Sequence, residues 1–104
     1  MFDYGKVETV IGRIVENVDP DMIVVFGSVA RREARDDSDL DILVVFDRPY
    51  NHKDMIKRIS RQFVGLRLGF DLILMSREEY DSRKHDEHSF EHEMMTTGQV
   101  VYAR

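Results

Sequence analysis

The chain has 104 residues, 42% of them hydrophobic and 34% charged, with 15 Lys and Arg against 20 Asp and Glu and a formal net charge of −5. That length supports one modest core, so the expectation is a single domain over residues 1–104 with no room for a separate acceptor-binding unit. The absence of cysteine excludes a disulfide scaffold, thiolate metal sites and thiol catalysis; the acidic balance argues against nucleic acid as a partner; and no apolar run approaches the roughly 20 residues of a membrane span.

Met1 to Lys6 lacks the basic start and apolar middle of a secretion signal, so a cytoplasmic location is expected. From Tyr4 to Val18 the residues Tyr4, Val7, Val10, Ile11, Ile14, Val15 and Val18 recur at helical spacing, which predicts an amphipathic first helix. Asp19-Pro20-Asp21 ends it, because proline disfavours helix in the residue before it. Met22 to Phe26 is a short, β-branched apolar run and reads as a buried strand. A short helical turn is expected over Ser28–Ala34, followed by a polar stretch and a second strand over Asp39–Phe46. Beyond the turn around Pro49, Met55, Ile56, Ile59, Phe63 and Val64 mark a helix, and Gly69 to Met75 reads as a third strand. Ser76-Arg77-Glu78-Glu79 has the form of a capping box and should start a helix. A last helix over about Glu87–Thr97 should stop at Gly98, before a possible edge strand at Val100-Val101-Tyr102. The fold class is therefore α/β (α+β), a mixed sheet of three to four strands with helices packed against it.

Two features carry chemistry. Gly27-Ser28 closes a buried strand and opens a helix, where free backbone amides and a small hydroxyl coincide and suit a phosphate. A glycine–serine pair alone is more often just a tight turn with a serine cap. Asp39-Leu40-Asp41 places two carboxylates at i and i+2 at the mouth of an apolar strand, and period two puts both on one face while Leu40 and Ile42 point to the other. Asp71 adds a third from a strand that could pair beside it. Like charges so close repel unless a cation lies between them, and convergent carboxylates with open positions suit Mg²⁺. A calcium loop starting at Asp37 fails, because Ile42 stands where glycine and Arg48 where glutamate is needed. No phosphate-binding G-x-x-x-x-G-K-[ST] is present. Asp36 and Asp37 are read as a solvated acidic loop.

Gly27-Ser28-Val29-Ala30-Arg31 followed by Ser38-Asp39-Leu40-Asp41-Ile42, with Asp71 in a later strand, resembles the minimal nucleotidyltransferase (MNT) family of the DNA polymerase beta-like nucleotidyltransferase superfamily. The preceding helix and the closing Gly98-Gln99-Val100-Val101-Tyr102 extend the resemblance over nearly the whole chain. It implies transfer of a nucleoside monophosphate from an NTP, ATP above all, to a hydroxyl, with release of pyrophosphate. Gly27 and Ser28 would hold the triphosphate, Arg31 would orient phosphates or acceptor, and Asp39, Asp41 and Asp71 would be the catalytic carboxylates and bind Mg²⁺. Asp71 would also help deprotonate the attacking hydroxyl. The family commonly has glycine after that arginine; this chain has Arg32, expected to extend the short helix. The resemblance further implies a HEPN-type toxin as partner and acceptor, with this chain as the antitoxin; the acceptor would dock in trans or through an oligomer. Two rival readings are a binding module that neutralises a toxin by contact alone and a transferase acting on a small-molecule hydroxyl.

Other groups invite weaker readings. His85, His88 and His92 would share a helix face, but no H-E-x-x-H is present, and a solvated or partner-facing surface is the reading. Lys53, Lys57 and Arg61 form a helical stripe with Arg58 and Arg67 near it, read as an ordinary solvated face with a basic lip for phosphates or an acidic partner as the alternative. Met94, Met95 and Phe90 are read as core.

Overall fold

The structure is a computed structural model and describes residues 1–89, 92 and 97–104. Its elements run α1 (Tyr4–Val18), β1 (Met22–Phe26), α2 (Gly27–Ala30), β2 (Leu40–Phe46), α3 (His52–Arg61), β3 (Phe70–Ser76), α4 (Arg77–Arg83) and β4 (Gln99–Ala103). The four strands form one sheet in the order β3-β2-β1-β4. β1 is antiparallel to both neighbours, while β2 and β3, joined through α3, are parallel. The mixed α/β sheet expected from the pattern is thus present. The helix expected over Glu87–Thr97, and the core placement of Phe90, Met94 and Met95, fall largely or wholly outside the described residues.

The periodicity of α1 is realised in its packing. Val7, Val10, Ile14 and Val18 are buried, and each such aliphatic side chain contributes about 1.5 to 3 kcal/mol when fully buried. Asp3 caps the helix start by accepting the Gly5 N–H at 2.9 Å. At the other end the chain leaves through Asp19 at φ 47°. Arg48 donates to the carbonyls of Val18 and Asp19, and Arg58 to that of Asn17, which satisfies carbonyls that the helix itself leaves without partners. Arg58 is therefore a structural residue.

Helices α1 and α3 cover one face of the sheet, where Val10, Ile14, Met55 and Ile59 join Ile23, Val25, Leu40, Ile42, Val44 and Phe46 in one cluster. On the other face Tyr80 of α4 packs in a second cluster with Met22, Val24, Leu43, Val45 and Met75. The two central strands are buried on both sides, which explains why their sequences are continuous apolar runs rather than alternating ones.

Several boundaries differ from the sequence expectation. The short helix α2 ends at Ala30 instead of continuing to Ala34. Arg32, expected to extend it, adopts φ 60°, so it supplies the left-handed turn itself. That turn is held by Arg32 N–H to Val29 C=O at 3.1 Å and Glu33 N–H to Ser28 C=O at 2.9 Å. The Arg32 guanidinium lies 4.5 Å from the centre of the Tyr4 ring, a cation–π contact that offsets part of the backbone cost. Helix α3 starts earlier, at His52, because Asn51 accepts the Asp54 N–H at 3.0 Å as a cap. Ser76 accepts the Glu79 N–H at 3.0 Å, and α4 begins where the capping box placed it.

Candidate active site

The pairing of β1 with β2 sets Phe26 opposite Asp41, so the residue that follows β1, Gly27, lies beside that carboxylate. Gly27 has φ +72°, and a Cβ there would run into Asp41 Oδ2. Both facts demand glycine, one through the backbone and one through space. The half-buried Ser28 follows, and its hydroxyl makes no hydrogen bond among the described residues.

On β2 the alternation works as the spacing requires. Leu40 and Ile42 are fully buried in the cluster under α1 and α3, and Asp41 lies on the face of Leu43 and Val45. The parallel register pairs Asp41 directly with Asp71. Cross-strand neighbours of like charge repel, and the effect shows in Asp41. Its carboxyl is raised above the ordinary 3.8, first by burial, then by the charge of Asp71, a hydrogen bond shared with Asp71 and the charge of Asp39, with Arg31 pulling the other way. Asp39 and Asp71 are exposed. Asp41 and Asp71 are therefore brought side by side, and the charges of Asp39 and Arg31 reach Asp41.

Two further residues complete the constellation, neither of them given a site role by the sequence pattern. Gly69 accepts the Leu40 N–H at 2.9 Å, and a Cβ there would run into Asp39 Oδ1; it had been legible only as the start of a strand. Ser38 closes the preceding turn, its Oγ accepting the Arg35 N–H at 2.8 Å, so the serine of S-D-L-D holds the loop. Arg31 pairs with Glu33 at 3.2 Å, both half-exposed.

The donors suit a small, hard cation: all are carboxylate oxygens, and two of them occupy space that only glycine leaves free. Asp41 and Asp71 are neighbours in register with Asp39 beyond them, and among the described residues no three His, Cys, Asp or Glu side chains are set to grip a single ion. Of the histidines, His85 and His88 are exposed, and the His92 ring Nδ1 lies 3.2 Å from the Lys84 carbonyl oxygen. Lys53, Lys57 and Arg61 are exposed on α3. A groove of about 640 Å³ lies elsewhere, between α1 and β4.

The family model for "Polymerase beta, Nucleotidyltransferase" matches residues 8–104. The chain belongs to this nucleotidyltransferase family. Its fold is similar to that of a Sulfolobus solfataricus protein provisionally assigned as a nucleotidyltransferase, with 24% identity, a TM-score of 0.63, and 96% of this chain and 79% of that one covered. A chain of a toxin–antitoxin complex solved with AMP-PNP gives 16% identity and a TM-score of 0.64, covering 99% of this chain and 75% of that one. A chain of the complex between tri-AMPylated Shewanella oneidensis HEPN toxin and MNT antitoxin gives 15% and 0.59, covering 95% and 71%. At these identities the likeness is one of fold. No curated protein is similar enough to match the chain. Among the described residues of this nucleotidyltransferase, no helix is long and apolar enough to cross a membrane.

Proposed function

We propose that this domain transfers AMP from ATP to a hydroxyl of a partner protein, a HEPN-type toxin that it neutralises as the antitoxin. The observation that carries the reading is the register pairing of Asp41 with Asp71, which places two carboxylates side by side next to the Gly27-Ser28 turn. The structural similarity to chains of toxin–antitoxin complexes, one of them of a HEPN toxin with an MNT antitoxin, favours the partner.

In this reading the free amides at Gly27 and Ser28 and the Ser28 hydroxyl hold the triphosphate, and Arg31 faces its negative charge. Asp39, Asp41 and Asp71 would hold Mg²⁺. The ion, when bound, would neutralise charge on the phosphates and on the attacking and leaving oxygens. Asp71, exposed at the edge strand, takes the proton of the acceptor hydroxyl. The hydroxyl oxygen bonds to the α-phosphorus, the bond from that phosphorus to the bridging oxygen breaks, and pyrophosphate leaves with the electron pair.

The test is incubation with α-labelled ATP, Mg²⁺ and the protein encoded beside this chain. Label on the partner, absent with Asp71→Asn, supports transfer. Stoichiometric inhibition without label would replace it with neutralisation by contact, and label only on small-molecule hydroxyls would replace the acceptor.

A further inference from the structure

The loop between α3 and β3 carries a cation for which the site so far has no use. Arg67 takes φ 51°, a conformation that L side chains rarely adopt. It is exposed, and its guanidinium makes no ion pair or hydrogen bond among the described residues. It lines a cleft of about 380 Å³ together with Lys6, Asp37, Ser38, Asp39 and Gly69. The cleft thus opens onto Asp39 and the glycine that fits against it. Most of its other charges are committed: the chain's terminal amine pairs with Asp36 at 2.5 Å, and Asp3 caps α1. Lys6, like Arg67, is uncommitted. Asp37 and Asp39 together offset Lys6 and Arg67, so the cleft carries no net positive field and what Arg67 holds is decided by the short-range fork pairing of guanidinium with carboxylate.

Resting on the transfer reading above, we infer that this cleft is the acceptor-side subsite, and that Arg67, assisted by Lys6, holds a carboxylate side chain flanking the acceptor hydroxyl of a protein segment. Arg67 is a positioning and specificity residue, touching the acceptor outside the reacting atoms. Arg67 lines the cleft from the loop that also sets Gly69 against Asp39, which ties acceptor recognition to the carboxylates.

The probes are two fluorescein-labelled peptides with a central tyrosine, one flanked by glutamates and one by lysines, measured by anisotropy against the full chain with Mg²⁺ and AMP-PNP, and in parallel for labelling from α-labelled ATP. The glutamate-flanked peptide should bind roughly tenfold more tightly, the scale of one charge-assisted pair. Arg67→Gly should abolish that preference while raising the melting temperature and leaving AMP-PNP titration unchanged; Arg67→Lys should retain part of it. Equal binding of both peptides, binding of neither, or a preference that survives Arg67→Gly would overturn the inference. A glutamate preference without any label transfer would sink the transferase reading and leave the subsite standing. Label transfer indifferent to the flanking charge would do the reverse.

Discussion

Gly27 and Gly69 each lie where a Cβ would strike a carboxylate oxygen, yet replacing them with alanine should differ in its cost to stability. At Gly27 the backbone is at φ +72° and the opposing group is Asp41, half-buried and paired in register with Asp71. Alanine there incurs about 1 to 2 kcal/mol for the left-handed conformation. It recovers about 0.4 to 1 kcal/mol because the unfolded chain has less freedom to lose. Asp41 is half-buried on a central strand beside the like charge of Asp71 and has little room to swing away, so the balance stays unfavourable by about 1 kcal/mol or more, or a fall of about 4 to 8 °C in melting temperature for a domain of this size. Gly69 lies outside the left-handed region, and the group it faces, Asp39, is exposed and can rotate. Gly69→Ala should therefore remain within about 0.5 kcal/mol of the parent, because the same unfolded-state gain offsets a small displacement. Urea unfolding of the metal-free proteins, followed by circular dichroism, measures both. A Gly69→Ala protein as unstable as Gly27→Ala would refute the reasoning, since carboxylate crowding rather than backbone conformation would then set the cost.

Asp41→Asn should stabilise the metal-free protein at neutral pH by about 1 kcal/mol, the scale of a like-charged cross-strand pair. Because the folded carboxyl is raised above 3.8, the penalty is absent below that pH and appears as pH rises through the folded value. The gap between variant and parent in a pH series of thermal melts should open in that direction, and a gap that closed with rising pH would contradict it. Arg32→Gly should be more stable than Arg32→Ala by about 1 kcal/mol, because only alanine retains the strain at φ 60°; chemical denaturation giving the reverse order would remove residue 32 from the left-handed region. Ser28→Ala should weaken ATP-analogue binding by roughly ten- to a hundredfold, the loss of one hydrogen bond to a charged group, while melting unchanged without ligand; calorimetry showing undiminished affinity would take Ser28 out of the triphosphate site. Asp71→Asn should leave that affinity nearly intact and suppress single-turnover transfer by orders of magnitude, and near-parental transfer would exclude Asp71 as the base.

What was legible in the sequence was whatever a local period encodes. Val7, Val10, Ile14 and Val18 on α1, the β-branched runs of β1 and β2 and the serine cap of α4 all follow from spacing and residue type. The meeting of Asp41 with Asp71 needed one further fact, that β2 and β3 are parallel and in that register; spacing alone left Asp71 as a carboxylate in a strand that could pair there. Arg32 shows the limit of residue-type reasoning. Arginine has no preference for positive φ, so nothing local announced the turn; the Tyr4 ring that receives its guanidinium comes from α1, nearly thirty residues away in the chain. Gly69 was illegible for a related reason. Its φ lies outside the left-handed region, and its close approach is to Asp39, which precedes the adjacent strand.

One row of the sheet shows how the site is affordable in so small a protein. Along β2 and β3 the same face that carries Asp41 and Asp71 carries Leu43, Val45, Ile73 and Met75, packed under Tyr80. The change from apolar to acidic occurs within two residues on each strand, so the carboxylates are held by a backbone whose position is fixed by burial just beyond them. On the opposite face Leu40, Ile42, Val44 and Phe46 are fully buried, and any slip of β2 by one residue would turn Asp41 into that core. The register that brings the carboxylates together is thus enforced by hydrophobic burial on both faces, and not by the carboxylates, whose mutual repulsion opposes it. Repulsion tolerated in this way is stability surrendered by the apo fold, and the surrounding core is what allows a functional cluster to persist there.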